Sequence, residues 1–232
     1  MKKLLNTAIF LALYLNSLYN TSANFLQGDD IMYKDSSIEM FLDDLENSNV
    51  QMGGGSLIGY NLASVCSLIC YIANLTIGKK RYIDVEDEAK KILGRAQELK
   101  EYSLSLIDED KKILEEILAT YKLRNENKGE YENVCLRAVD FSFETLEKSI
   151  EVLKLTKDIS KIGNLMLASD FEISAYMSYS CVEASVTNIK INLLNIEDEN
   201  YSEKMKNKYL NKLEEAYELK EEILKITNEK IK

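Results

Sequence analysis

A chain of 232 residues without a single proline is constrained first of all toward helix. Average usage of about 5% would place roughly a dozen prolines in it. Each one inside a helix would cost about 3 kcal/mol, because proline lacks the N–H and its ring meets the preceding turn. Only nine glycines supply other breaks, and Leu, Ile, Lys and Glu are abundant, so the chain reads as all-α. Its length suits one domain with a sizeable core. The expected fold is a single-domain helical bundle in which two central apolar helices are covered by long amphipathic ones.

Apolar periodicity divides the chain. Ile38, Phe41, Leu42 and Leu45 mark one face of a first helix from Ser36 or Ser37 to about Asn47. The first central helix runs from Ser56 to about Thr76, with Gly78 closing it. An amphipathic stripe begins near Val85 and passes through Ala89, Ile92, Leu93, Ala96, Leu99, Tyr102 and Leu106. It continues as helix from Asp108 to Tyr121, with Ile113, Leu114, Ile117 and Leu118 inward. Residues 124–129 read as a surface loop, residues 131–158 as another long helix, and Gly163 as the turn after it. Residues 165–194 are rich in small and apolar side chains and read as the second central helix. The last helix, residues 201–231, is an outer cover or a contact with a second copy.

The segment from Gly53 to Tyr82 carries the densest information. Gly53, Gly54 and Gly55 let the backbone turn sharply or approach a neighbour closely, and Ser56 can cap the helix that follows. The N–H groups at such a helix start favour a negative group: a phosphate, a ligand carboxylate, or an Asp from elsewhere in the fold. A plain tight turn is the competing reading. Leu57 to Leu75 is nearly long enough to span a bilayer, but Asn61, Ser64, Ser67 and Asn74 interrupt it, and a bundle helix covered on every face is the better reading. Lys79, Lys80 and Arg81 then form a basic exit.

Composition excludes several classes. A formal net charge of −10 opposes general nucleic-acid binding. Histidine is absent, which removes Ser-His-Asp and Cys-His catalysis and the commonest zinc ligand, so no metal site is expected. Any acid or base must be Asp, Glu, Lys, Tyr or Cys. Cys66 and Cys70 lie one turn apart on an apolar helix and read as core, and Cys135 and Cys181 do not complete a metal-binding spacing. Lys2 and Lys3, the apolar run from Leu4 to Leu15, and Thr21-Ser22-Ala23 together have the outline of a secretory signal.

Four blocks in sequence resemble the formiminotetrahydrofolate cyclodeaminase and methenyltetrahydrofolate cyclohydrolase family. They are Ser37-Ile38-Glu39-Met40-Phe41-Leu42-Asp43-Asp44-Leu45; the glycine run through Ile72-Ala73-Asn74-Leu75-Thr76-Ile77-Gly78-Lys79-Lys80; Leu106-Ile107-Asp108-Glu109-Asp110 with Tyr121-Lys122-Leu123; and Gly163-Asn164 through Ala168-Ser169-Asp170 to Asn188-Ile189-Lys190-Ile191-Asn192-Leu193. The resemblance implies a small all-helical enzyme acting on a tetrahydrofolate derivative. It further implies no prosthetic group, a homodimer, and a cytoplasmic location. Such a chain would begin near Met32. Residues 1–31 then read as a leader-like or mis-started extension before a domain of residues 32–232, with export through residues 1–23 as the alternative.

The same resemblance implies the site. Asp110 falls at the position of the family's proton-donating aspartate, with Asp108 beside it. Three adjacent carboxylates raise one another's pKa, although a solvated acidic helix segment would look the same. Gly53, Gly54, Gly55 and Ser56, with Asn74, Lys79, Lys80, Ser169, Asp170, Asn188 and Asn192, are the substrate-binding candidates. The lysines and Arg81 suit the carboxylates of a folate tail or a pterin carbonyl; otherwise they are an exposed helix exit. Asn188 and Asn192 are four apart and share a face, either reading pterin edges or tying helices together. Tyr121-Lys122 is a weaker candidate. The chain departs from the family's pattern in lacking a proline before the glycines and in the bulk of Tyr60, Leu68, Ile69 and Tyr71. That bulk predicts a narrower cleft, and it supports a catalytically silent helical scaffold as the competing function; an exported helical protein is the third.

Overall fold

A computed structural model describes residues 32–47 and 52–231. Both the leader-like segment and the Ser48-Asn49 stop fall outside them. Six α-helices account for most of the described chain, and no strand occurs among the described residues: α1 Ile38–Glu46, α2 Gly54–Thr76, α3 Glu86–Leu123, α4 Lys128–Ile162, α5 Ala168–Leu193 and α6 Glu199–Ile231. Short 3-10 turns lie at Tyr33–Asp35, Lys80–Val85 and Leu165–Leu167. The all-α bundle is therefore as expected, and the amphipathic stripe from Val85 and its continuation form one unbroken helix.

Helix boundaries follow local chemistry. The Ser37 hydroxyl accepts the Met40 N–H at 3.1 Å to start α1, and the Asn127 side chain accepts the Glu130 N–H to start α4. Asp198 Oδ1 accepts from the N–H groups of Asn200 and Tyr201 at 2.9 and 3.0 Å, capping α6. Gly78, with φ of 72°, turns the chain out of α2 where a side chain would be strained.

From α2 onward each helix packs against the one that follows it. α2 lies between α3 and α5, α5 lies between α2 and α6, and α4 packs across the back of all four. Leu62, Ile69 and Ile72 of α2 meet Leu99 and Leu106 of α3, Leu146, Leu153 and Ile159 of α4, Phe171 and Ile189 of α5, and Ile223 of α6 in one core. Arg95 to Glu151 and Lys208 to Glu147 are among the ion pairs that bridge helices, but such exposed pairs contribute little, about 0–1 kcal/mol each.

Two expectations change. α4, read from sequence as a cover, is the helix that contacts every member of the layer. Its buried Ser142, Thr145, Ser149, Thr156 and Ser160 are small polar residues that an apolar count overlooks. Their hydroxyls bond back to carbonyls one turn earlier, as Ser149 does to Thr145 at 2.7 Å, so they are satisfied inside the core. On α1 only Phe41 is fully buried, stacked on Tyr60 at 4.9 Å. Ile38 and Leu42 remain exposed, because this short helix touches the bundle along one narrow line.

Candidate functional site

α3, α4 and α5 extend beyond the point where α2 begins, and the space that α2 does not fill is a cavity of about 360 Å³. Residues 53–55 form its floor. Asp110, Ile113, Leu114 and Ile117 line it from α3; Tyr131, Ala138, Phe141 and Ser142 from α4; Thr187, Asn188, Ile191 and Asn192 from α5, with Asn195 just beyond. Apolar walls with a few polar groups are the usual make-up of a small-molecule site. Asp110 is the one charged residue among the described lining residues.

The position of Asp110 is fixed by two features of α2. The Ser56 N–H and the Ser56 hydroxyl both donate to Asp110 Oδ2 at 2.8 Å, and the hydroxyl also lies 3.3 Å from the Ile107 carbonyl oxygen. A Cβ on Gly55 would fall 1.8 Å from Asp110 Oδ1 and 2.4 Å from its Cγ. The carboxyl group therefore occupies the volume that glycine leaves empty. One turn on, a Cβ at Gly59 would meet the Ser103 carbonyl oxygen at 2.8 Å. Together the two glycines bring α3 directly against α2.

The helix starts two residues earlier than expected, at Gly54 with Gly53 as its cap. Ser56 therefore does not cap α2; it lies in the first turn and holds a carboxylate from α3 instead. Among the options open for these N–H groups, an Asp from elsewhere in the fold is the one realised. Burial pushes the Asp110 carboxyl above its ordinary pKa, while the two Ser56 bonds pull it partly back down. With Oδ2 engaged by Ser56, Oδ1 is the oxygen left to hold or give a proton. The N–H groups of Gly54 and Gly55 have no partner within their own helix and line the cavity beside it.

The other candidates separate into groups. Asn188 and Asn192 share the cavity wall, and the Asn192 amide donates to the Asn188 carbonyl oxygen at 3.0 Å. Asp108 is buried on the far side of α3, since two helical positions differ by about 200°. Its Oδ1 accepts the Tyr33 N–H at 3.0 Å, and its Oδ2 has no hydrogen-bond partner among the described residues. Asp108 thus anchors the chain before α1 and does not line the cavity. Tyr121 stands behind the lining, edge-on to Tyr131 at 5.8 Å with the Arg124 guanidinium 3.7 Å from its ring centre.

Asn74, Lys79, Lys80, Ser169 and Asp170 lie at the opposite end of the bundle. Twenty residues of helix separate Gly54 from Asn74, about 30 Å. Asn74, Lys79, Lys80 and Ser169 are exposed, and among the described residues no ion pair joins Asp170 to the lysines. The bulky residues of α2 do not narrow the cavity. Ile69 is core, Tyr60 packs on Phe41, Tyr71 is exposed, and only the first turn of α2 reaches the cavity. The four cysteines are free, and burial pushes the Cys66 and Cys181 thiols up to about 12, which suits core packing.

Several lining residues were not evident as site residues in the sequence. Ile113, Leu114 and Ile117 carry a core signal and face a void instead, and Tyr131, Phe141, Ser142, Thr187 and Asn195 carry no signal at all. Gly59, which lies outside the lining and holds α3 close to α2, carried a signal in its four-residue spacing from Gly55.

Comparison with known proteins bears on the family and the fold. The sequence model of the family described as Formiminotransferase-cyclodeaminase matches residues 37–211. A methenyltetrahydrofolate cyclohydrolase from Methylorubrum extorquens is 26% identical over 207 residues, covering 86% of this chain and all of that protein. The formimidoyltransferase-cyclodeaminase of Rattus norvegicus is 21% identical over 189 residues, which span 78% of this chain and 35% of the rat protein. The crystal structure of a formiminotetrahydrofolate cyclodeaminase from Thermotoga maritima shares the fold with a TM-score of 0.80 at 23% identity, over 86% of this chain and 99% of that one. With three quarters of its length matched by the family's own sequence pattern, the chain belongs to the formiminotransferase-cyclodeaminase family.

Proposed function

We propose that this chain is a folate one-carbon enzyme that forms or opens the 5,10-methenyl bridge of tetrahydrofolate in the cavity at the start of α2, with Asp110 as its acid. In the cyclodeaminase direction one folate nitrogen attacks the formimino carbon, and the original C–N bond must then break. An amide anion is too basic to depart, so a positioned acid protonates it and ammonia leaves. In the cyclohydrolase direction water adds to the methenyl carbon and gives up a proton, which the same carboxyl group in its ionised form accepts; it then returns that proton to the leaving folate nitrogen as the C–N bond breaks, while the hydroxyl proton passes to solvent and the bridge opens. One group can therefore serve both reactions.

The observation that carries this reading is the placement of the Asp110 carboxyl: in the cavity wall, in the space Gly55 leaves, with one oxygen held by Ser56 and the other without a hydrogen bond among the described residues. Burial favours its neutral form, which an acid needs. The apolar walls suit the flat pterin and aminobenzoyl rings, and Asn188 and Asn192 offer amides to pterin edges. The N–H groups at the start of α2 favour electron-rich substrate atoms. We further propose that the protein works as a homodimer in the cytoplasm.

The test uses purified protein with 5-formimino- and 5,10-methenyltetrahydrofolate while the methenyl chromophore is followed. Turnover of either compound is expected, and the ratio of the two rates assigns the predominant reaction. No turnover and no folate binding would sink the proposal. Fractionating cells and sequencing the mature N-terminus tests the location.

A further inference from the structure

The polar groups of the cavity are sorted by kind. At the start of α2 they are donors, the N–H groups of Gly54 and Gly55 beside the Asp110 carboxyl. Along α5 they are acceptors. The Asn192 amide nitrogen donates to the Asn188 carbonyl oxygen at 3.0 Å, and the Asn195 amide nitrogen to the Ile191 carbonyl oxygen at 3.3 Å. Thr187 turns its hydroxyl proton the same way, onto the Glu183 carbonyl oxygen at 3.1 Å. An amide beside a carbonyl oxygen faces it with nitrogen, because two oxygens at that distance repel, so the amide oxygens of Asn192 and Asn195 are left to accept from a ligand. The Asn188 amide makes no hydrogen bond among the described residues and can donate or accept.

Helix contacts fix the order of these groups along the cavity. Tyr121 of α3 meets Tyr131 of α4 at 5.8 Å, and Glu132 of α4 accepts the Glu197 N–H just after α5 at 2.7 Å. α3 and α5 therefore both run toward the start of α4. Asp110 stands at the other end, held by Ser56 at the start of α2. Eleven residues of α3 separate it from Tyr121, about 16 Å. Moving away from the acid, α5 presents Asn188, then Asn192, then Asn195 just past its end, at spacings of four and three that keep them on one face. No Lys or Arg is among the described lining residues. A ligand that displaces water from this wall must bring N–H donors of its own or leave the two oxygens unpaired.

The pyrimidine edge of a pterin carries its groups in the matching order. Nearest the reacting N5 is the 4-oxo group, an acceptor; N3–H follows, and then the 2-amino group, both donors. We infer that the pterin lies lengthwise in the cavity with its reacting nitrogen at Asp110, its 4-oxo group at the Asn188 amide, N3–H at the Asn192 oxygen and the 2-amino group at the Asn195 oxygen. Asn195 is thereby the residue that selects for a 2-amino ring. The reverse placement would set the 4-oxo oxygen against acceptor oxygens and carry the one-carbon unit away from the acid. This assignment rests on the folate reading of the cavity and extends it, by fixing which ring enters and which way it faces.

The test assays the full chain and its Asn192→Ala and Asn195→Ala variants with 5,10-methenyltetrahydrofolate and with the 2-desamino analogue, in which hydrogen replaces the amino group. Wild type should lose about 10–100-fold in kcat/KM on the analogue, because an acceptor is left unpaired. Asn195→Ala should lose a similar factor on the natural compound, mainly through KM, and treat the two compounds alike. Asn192→Ala should weaken both equally and keep the wild-type preference. Each preference is a ratio measured on one preparation, so a smaller folded fraction in a variant leaves it unchanged. A wild type indifferent to the amino group, an Asn195→Ala that still prefers it, or an Asn192→Ala that loses the preference would overturn the inference while the folate reading stood. A wild type that neither binds nor turns over 5,10-methenyl- or 5-formiminotetrahydrofolate would remove the folate reading and the inference with it.

Discussion

The two ends of α2 are built on opposite principles. At its C-terminal end the backbone is tied down: Thr76 Oγ1 accepts the Asn164 N–H at 3.0 Å, the Asn164 amide donates to the Leu75 carbonyl oxygen at 3.3 Å, and the Gly78 N–H donates to Glu86 at 3.1 Å. At its N-terminal end the helix stops short of its neighbours and opens onto a cavity, where a carboxylate from another helix satisfies part of its first turn. A helix end whose groups are all satisfied is a structural stop. One that faces a void keeps a dipole, N–H donors and a partly buried acid available to a ligand.

If that contrast is right, damage at the open end should affect chemistry, and damage behind it should affect stability. Among changes that leave Asp110 itself in place, the largest effect is expected from Gly55→Ala, whose methyl overlaps the Asp110 carboxyl. Displacing an acid by about 1 Å is worth roughly 100-fold in turnover, measured at saturating substrate with a helical circular-dichroism signal to confirm folding. Asp108→Ala should do the reverse. Losing the acceptor for the buried Tyr33 N–H should lower stability by about 1–3 kcal/mol in urea unfolding, with turnover per folded molecule near wild type. A large catalytic loss there would merge the two carboxylates into one site and break the comparison. The smallest effect belongs to Gly94→Ala in α3, where an added Cβ meets nothing within 4 Å. It should gain roughly 0.5–1 kcal/mol without altering turnover, which would identify the steric conflict at Gly55, rather than the loss of a glycine, as the cause of damage.

The helical class followed from the missing prolines, and α2, α3 and α5 from apolar spacing within a few residues. What the spacing could not show was depth. α4 hides its burial in serines and threonines whose hydroxyls are satisfied within their own helix, so a helix central to the packing read as a cover. The site was legible where a residue type was unusual: the glycine run, the Asp110 cluster, and the Asn188 and Asn192 pair on an apolar helix. Its apolar walls were not, because Ile113, Leu114 and Ile117 follow the same period whether they face a core or a void. Nor does linear sequence tell that residues adjoining one helix can sit at opposite ends of it, which is why Lys79 and Lys80 grouped with the glycines on paper and lie about 30 Å from them in the fold.

The central claim is that the partly buried Asp110, its pKa raised by burial, does the chemistry. Its folded pKa is raised, so its contribution to stability is present at low pH and is lost as pH rises through that pKa. Asp110→Asn, which keeps an acceptor for Ser56, should therefore gain stability relative to wild type between acid and neutral pH. The most direct measurement is the rate of methenyl formation from 5-formiminotetrahydrofolate by wild type and Asp110→Asn across that range. The account predicts that the wild-type rate falls as pH rises through a pKa above the ordinary carboxylate value, and that the variant is slower by about 10²–10⁴ with its helical signal intact. Equal rates in the two proteins would contradict it.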